Sequence, residues 1–310
     1  MKNLIKLIWL VALTAATVVW AGPREDAFAA RARGDYATEL RISQAAARNG
    51  EAWAQNNLGV MFESGRGVAK SDAEAVRWFR LAAEQGHAMA QYNLGVMFAN
   101  GRGVAKSDAQ AVRWYRLAAE QGYAMAQNNL GGMFENGRGV AKSDAEAVRW
   151  YRLAAEQGYA SAQFNLGVMF ANGQGVAKSD AQAVRWFRLA AEQGDAMAQN
   201  NLGVMFENGR GVAKNESEAM RLYNLAAAQG NELAMDNLAK ITVDRAVATH
   251  NSKSNQGGDC RPRTSNLVCY STCSNGDCLV SYENGCKMRV QVNPKFDPLT
   301  NNWTYPAPSC

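Results

Sequence analysis

From Ala52 to His87 the chain reads AWAQNNLGVMFESGRGVAKSDAEAVRWFRLAAEQGH, and the same 36-residue unit returns four more times before the array ends at Asn231. Its closing string, AAEQG or AAAQG in the last copy, ends at Gly86, Gly122, Gly158, Gly194 and Gly230, always 36 residues apart. A fixed period of this size marks a solenoid, because one unit is too small to bury its own apolar face and must stack on its neighbours. Such an array presents an extended surface, so the expected role is binding.

Each unit reads as two helices. Ala54, Leu58, Met61 and Phe62 recur at i, i+4, i+7 and i+8, the apolar face of a first helix. Gly65 and Gly67 stop it, since glycine readily takes the left-handed conformation that closes a last turn. Ser71-Asp72-Ala73-Glu74 opens the second helix as a capping box. Ser107 with Gln110, Ser143 with Glu146, Ser179 with Gln182 and Asn215 with Glu218 repeat the device. The second helix is expected to bury Ala75, Trp78, Phe79 and Ala82 and to leave Arg77, Arg80 and Glu84 in water. The row Trp78, Trp114, Trp150 and Trp186 therefore reads as core.

The order Ala54, Leu58-Gly59, Phe62, Gly65-x-Gly67-Val68, Asp72, Ala75, Trp78, Ala82-Ala83 and Gly86 resembles the Sel-one-like repeat, a relative of the tetratricopeptide repeat. The resemblance covers five copies, 52–87, 88–123, 124–159, 160–195 and 196–231. It implies a mainly α fold, a right-handed α/α superhelix used for protein interactions. One departure is Ala69 and its equivalents, where that family often has proline. Asp35 to Asn49 looks like a lone second helix capping the first repeat, within an N-terminal extension over 22–51. A first helix over 232–249 caps the last repeat, and 250–259 reads as a flexible linker.

The ends of the chain address the compartment. Lys2 and Lys6, the apolar run Leu7 to Trp20 and the small-residue site at Val19-Trp20-Ala21 read as a secretory signal peptide over 1–21. The mature chain is expected to be exported, periplasmic or secreted, with no membrane anchor after cleavage. All six cysteines, Cys260, Cys269, Cys273, Cys278, Cys286 and Cys310, fall in the last fifty-one residues. In an oxidising compartment they read as three disulfides of undetermined pairing, with zinc as the rival reading. Runs at Leu267–Tyr270, Cys278–Tyr282 and Lys287–Val292, separated by Ser274-Asn275-Gly276-Asp277 and Glu283-Asn284-Gly285, suggest a small disulfide-rich β module over 260–310. The formal charge of +5 includes Lys2 and Lys6. The repeats mix both signs without the basic stripe that nucleic acid demands.

A partner-binding surface can be read from helical phase. With Leu58 at the centre of the buried face and about 100° per residue, positions 53, 56, 60 and 63 fall on the opposite side of the first helix. The copies differ most there: Trp53, Met89, Met125, Ser161 and Met197 at one position, Asn56, Tyr92, Asn128, Phe164 and Asn200 at another, and Glu63, Ala99, Glu135, Ala171 and Glu207 at a third. The tetratricopeptide likeness implies that this stripe is concave, and apolar groups exposed on it would suit a protein or peptide partner. Odd and even copies also alternate, which fits duplication of a 72-residue block equally.

Catalytic chemistry finds little purchase. The two histidines, His87 and His250, are far apart, and the chain holds no HExxH, GxSxG or SxxK. No metal site, cofactor or catalytic residue is assigned. Cysteine-rich relatives associated with penicillin binding or β-lactamase activity carry paired cysteines inside each repeat, and these repeats have none. The expectation is a non-enzymatic binding scaffold. The alternatives are an envelope hydrolase or penicillin-binding protein of that type, and a cell-wall or carbohydrate adaptor acting through the tail.

Overall fold

Glycine inside a helix costs about 1 kcal/mol against alanine, yet every first helix carries one at its centre. The computed structural model supplies the reason. It describes residues 22–254 and five strands beyond them. A Cβ on Gly59 would stand 2.4 Å from the Phe79 ring. At Gly95, Gly131, Gly167 and Gly203 it would meet Tyr115, Tyr151, Phe187 and Tyr223 at 2.6–2.7 Å. The missing side chain is the seat for the second helix's ring.

Thirteen helices are present among the described residues. A pair with a shorter first helix, α1 (Pro23–Ala32) and α2 (Tyr36–Arg48), precedes five full pairs. These are α3 (Ala52–Ser64) with α4 (Asp72–Glu84), α5 (Ala88–Asn100) with α6 (Asp108–Glu120), and α7 (Ala124–Asn136) with α8 (Asp144–Glu156). They continue with α9 (Ala160–Asn172) and α10 (Asp180–Glu192), then α11 (Ala196–Asn208) and α12 (Glu216–Ala227). The last helix, α13, runs Glu232–Ser254. The helices divide into two compact units, one reaching Ala162 and including Gln174–Val176, the other holding Gln163–Gly173 and everything from Ala177 on. Among the described residues no helix is long and apolar enough to cross a membrane.

Local chemistry sets each boundary. Gly65 closes α3 at φ 73°, and the amide of Arg66 donates back to the Met61 carbonyl at 2.9 Å. The Ser71 hydroxyl accepts from the Glu74 amide at 3.2 Å, as a cap should. The Glu74 carboxylate is 3.4 Å from Arg77 Nη1, so it serves an ion pair on its own helix. The core holds Ala54, Leu58 and Met61 of the first helix with Ala75, Phe79 and Ala82 of the second. Trp114, Trp150 and Trp186 are buried with them, whereas Trp78, in the first repeat, is half-buried.

Neighbouring pairs are stitched by side chains that the sequence reading left unassigned. Gln91 donates from Nε2 to the Ala83 carbonyl of the preceding repeat at 3.1 Å and accepts from Gln121 Nε2 at 2.7 Å. Gln127 with Ala119 and Gln157, and Gln199 with Ala191 and Gln229, repeat the ladder. Buried amides bonded through both nitrogen and oxygen in this way specify register, because breaking either bond would leave a desolvated group unpaired. The connecting loops also clamp backwards. Arg102, Arg138 and Arg210 each grip the aspartate that opens the preceding second helix, Asp72, Asp108 and Asp180, at 2.7–2.8 Å. These hydrogen bonds hold all three carboxyls below the usual aspartate range.

Two boundaries differ from expectation. The helix over 36–48 is not alone, because α1 pairs with it and buries Ala27 and Ala30. Pro23 at the first turn, Glu25 and Asp26 after it, and Gly34-Asp35 between the helices are its start and stop signals. The expected linker is helical over residues 250–254, since α13 continues to Ser254. In the tail, β1 (Tyr270–Ser274), β2 (Asp277–Ser281) and β3 (Lys287–Gln291) pair antiparallel in that order. Likewise β4 (Lys295–Asp297) pairs with β5 (Asn302–Thr304). The signal segment 1–21 and Cys260, Cys269, Cys286 and Cys310 lie outside the described residues; the backbones of Cys273 and Cys278 are opposed across β1 and β2.

Candidate interaction face

The first helices of the five repeats carry no lysine or arginine at all; their only charges are Glu63, Glu135 and Glu207. Within the five repeats, arginines are confined to the second helices and the loops. The outward stripe of α3, α5 and α7 in the first unit, and of α9 and α11 in the second, is therefore neutral to acidic.

Exposure along this stripe is uneven. Met89 is 44% and Met197 55% exposed, so the first stripe position does present methionine to solvent. Met125 is half-buried beneath Tyr123, whose hydroxyl donates to its sulfur at 3.4 Å. Trp53 is half-buried too, edge-on to Phe28 at 6.2 Å.

The second position faces the adjacent first helix instead of water. Asn56 is 7% and Asn200 4% exposed. Asn93 donates to Asn56 Oδ1 at 3.1 Å, and Asn56 Nδ2 reaches the Met89 sulfur at 3.6 Å. In the second unit Asn237 donates to Asn200 at 2.9 Å. Asn128 is half-buried. Where the position is aromatic, the ring leans on its own repeat: Tyr92 lies 5.9 Å from Tyr115 of α6 and 5.3 Å from Tyr123 at the cap of α7, and Phe164 lies 5.9 Å from Phe187. Tyr92 and Phe164 are thus half-buried wall residues, more enclosed than their helical phase suggests.

The third position is engaged as well. Glu63 accepts from Arg102 Nη1 at 2.8 Å. Glu135 and Glu207 accept from the hydroxyls of Tyr151 and Tyr223, both at 2.6 Å. Burial, and then the carboxylate itself, raise both tyrosine pKa values, so these hydroxyls stay protonated donors. Burial is the main cause that pushes Tyr115 up to about 12.

Sequence reasoning missed Asn93, Asn237, Tyr115 and Tyr123 as members of this face. Their signal was present in the repeated Asn before each Leu, which has no local turn to serve. His87, read as a loop residue, is the cap of α5: its Nδ1 accepts from the Ala90 amide at 3.2 Å, and burial lowers its pKa. Among the described residues no group of three or more His, Cys, Asp or Glu side chains converges on a metal-sized space.

Comparison with known proteins fits this architecture. The model of the Sel1 repeat matches residues 54–87, 88–123, 124–159, 160–195 and 196–231. A Sel1 repeat protein of Oxalobacter formigenes is 31% identical with a TM-score of 0.68, over 78% of this chain and 100% of that one. The protective antigen c5321 of uropathogenic Escherichia coli, described as displaying an SLR fold, is 37% identical with a TM-score of 0.64 over 67% of this chain. The chain spans only 44% of that antigen's length. No curated protein matches.

Proposed function

Because the chain belongs to the Sel1-repeat family, whose solenoids typically mediate protein–protein contact, we propose that it is an exported, non-enzymatic scaffold that binds a protein or peptide along the outward face of its first helices. The observation that carries this reading is the pair of solvent-facing methionines, Met89 in one unit and Met197 in the other, on helices devoid of basic residues. Methionine is apolar, polarizable and adaptable, so a row of it serves segments of varied shape. Half-buried Tyr92, Met125 and Trp53 extend the first stretch, and Phe164 accompanies the second. The partner segment is expected to be apolar with neutral or basic flanks, since Glu63, Glu135 and Glu207 supply the only charge. Export rests on the pattern of Met1 to Ala21.

The test is capture from the exported fraction, followed by titration of the captured partner against Met89→Glu and Met197→Glu. Both residues are surface groups, so melting should move little. Affinity should fall at least about tenfold for the variant that lies in the contact, the usual effect of losing an interface anchor. Unchanged affinity in both variants removes the face from consideration.

A further inference from the structure

Four of the five second helices carry tryptophan at one position, Trp78, Trp114, Trp150 and Trp186, while the fifth carries Leu222. Where the indole is present it fills a groove: Trp78 packs on a cluster that includes Ala46 and Ala47 of α2 with Leu58 and Met61 of α3. The preceding arginine lies over each ring, Arg77, Arg113, Arg149 and Arg185 at 5.1–5.6 Å. The indole nitrogens of Trp78 and Trp150 are buried without an acceptor, so this groove selects a ring by shape and not by hydrogen bonding.

At the fifth repeat the groove stands open. A cleft of about 500 Å³ lies between α10, α11 and α12, floored by Leu202, Phe206 and Leu222 and edged by Arg188, Arg221 and Leu225. That volume lies within the range of small-molecule sites. Phe206 is half-buried, whereas Phe98, Phe134 and Phe170, in repeats that keep their tryptophan, are buried; Phe62, in the first repeat, is half-buried as well. The charges at the rim cancel. Arg221 is held by Glu218 through two bonds, at 2.6 and 2.9 Å, and Arg188 stands with Glu192 on α10.

We infer that this cleft receives an uncharged aromatic side chain, tryptophan foremost, presented by a partner protein, which supplies in trans the ring that the fifth repeat lacks. The four filled grooves define the occupant: a flat ring seated on alanine and leucine, covered by a guanidinium, with no call for a polar contact. The site lies between two second helices and the buried side of α11, and its lining does not include Met197, so it stands whether or not the methionine stripe binds.

The test uses the full-length protein with 5-fluoroindole and N-acetyltryptophanamide as probes, followed by fluorine and methyl NMR. Saturable binding is expected, with a dissociation constant on the order of 1 mM for so small a probe. N-acetylleucinamide should bind at least about tenfold more weakly, since its side chain covers less apolar surface. Leu222→Trp should abolish the site and raise Tm by about 2–4 °C by filling the groove from within. Leu225→Glu, at a position already 42% exposed, should keep the fold and lose the probe, which guards against a misfolded Leu222→Trp. Absence of saturable binding, or equal binding in both variants, overturns the inference. So does binding that appears only in Trp303→Ala, because the chain's own tail would then be the occupant.

Discussion

Replacing Gly167 by alanine isolates the contact on which every repeat is built. The new methyl would lie 2.6 and 2.7 Å from Cδ1 and Cε1 of Phe187, about 1 Å inside ordinary carbon contact. Phe187 is 2% exposed and has nowhere to retreat without disturbing its neighbours. Overpacking of this depth costs about 2–3 kcal/mol, and the better helix propensity of alanine returns about 1, leaving a net loss of about 1–2 kcal/mol. The decisive measurement is a double-mutant cycle. Phe187→Ala alone empties the seat and should cost about 3–5 kcal/mol. On that background Gly167→Ala meets no ring, and its effect should change sign to a gain of about 1 kcal/mol. Urea unfolding followed by helical circular dichroism gives all four corners, with an expected coupling of about 2–3 kcal/mol. If Gly167→Ala stabilises the intact protein, or if its effect is the same on both backgrounds, the close approach of ring to helix is not why glycine stands there.

Two further outcomes follow from the caps and clamps. The fold depresses the His87 pKa below its ordinary 6.5, chiefly through burial, so its cap contributes fully above that value and is lost as pH falls through the lowered folded value. His87→Asp, the residue found at the equivalent Asp195, should keep about 1 kcal/mol of cap stability and flatten thermal stability between about pH 7.5 and 5; a wild-type curve already flat there would refute the assignment. Position 174 carries glutamine where Arg66, Arg102, Arg138 and Arg210 stand in the other loops, and Asp144 Oδ1 lies 3.8 Å from Lys142 Nζ. Gln174→Arg should add about 0.5 kcal/mol in low salt, fading toward zero near 1 M salt, and no gain in low salt would mean the loop cannot reach the aspartate.

Much of this molecule is local, and local chemistry is legible in a linear sequence. The 36-residue period, the 3.6-residue apolar spacing, serine and asparagine caps and glycine stops predict ten helices whose boundaries the structure repeats closely. The pair α1 and α2 shows the limit. Ala27 and Ala30 are too small to announce a buried face, and only packing against α2 makes them core. The candidate face shows the same limit more sharply. A helical wheel drawn about Leu58 knows one helix and the partner behind it, so Asn56, Tyr92, Glu135 and Asn200 all appear to face water.

Repetition determined the family and the helix pairs by sequence alone. Tertiary structure decided which of the remaining positions are free, because in a stacked array each first helix has another beside it as well as one behind. That second neighbour takes Asn56 and Asn200 for asparagine contacts, while the rings of the second helices take Glu135 and Glu207 as acceptors. The cleft above Leu222 belongs to the same class of fact. A Trp-to-Leu change is visible in the sequence, but whether it leaves a void or lets the helices close over it depends on how far α10, α11 and α12 can move, and their backbones are held apart by the same ladder of glutamines that sets the repeat.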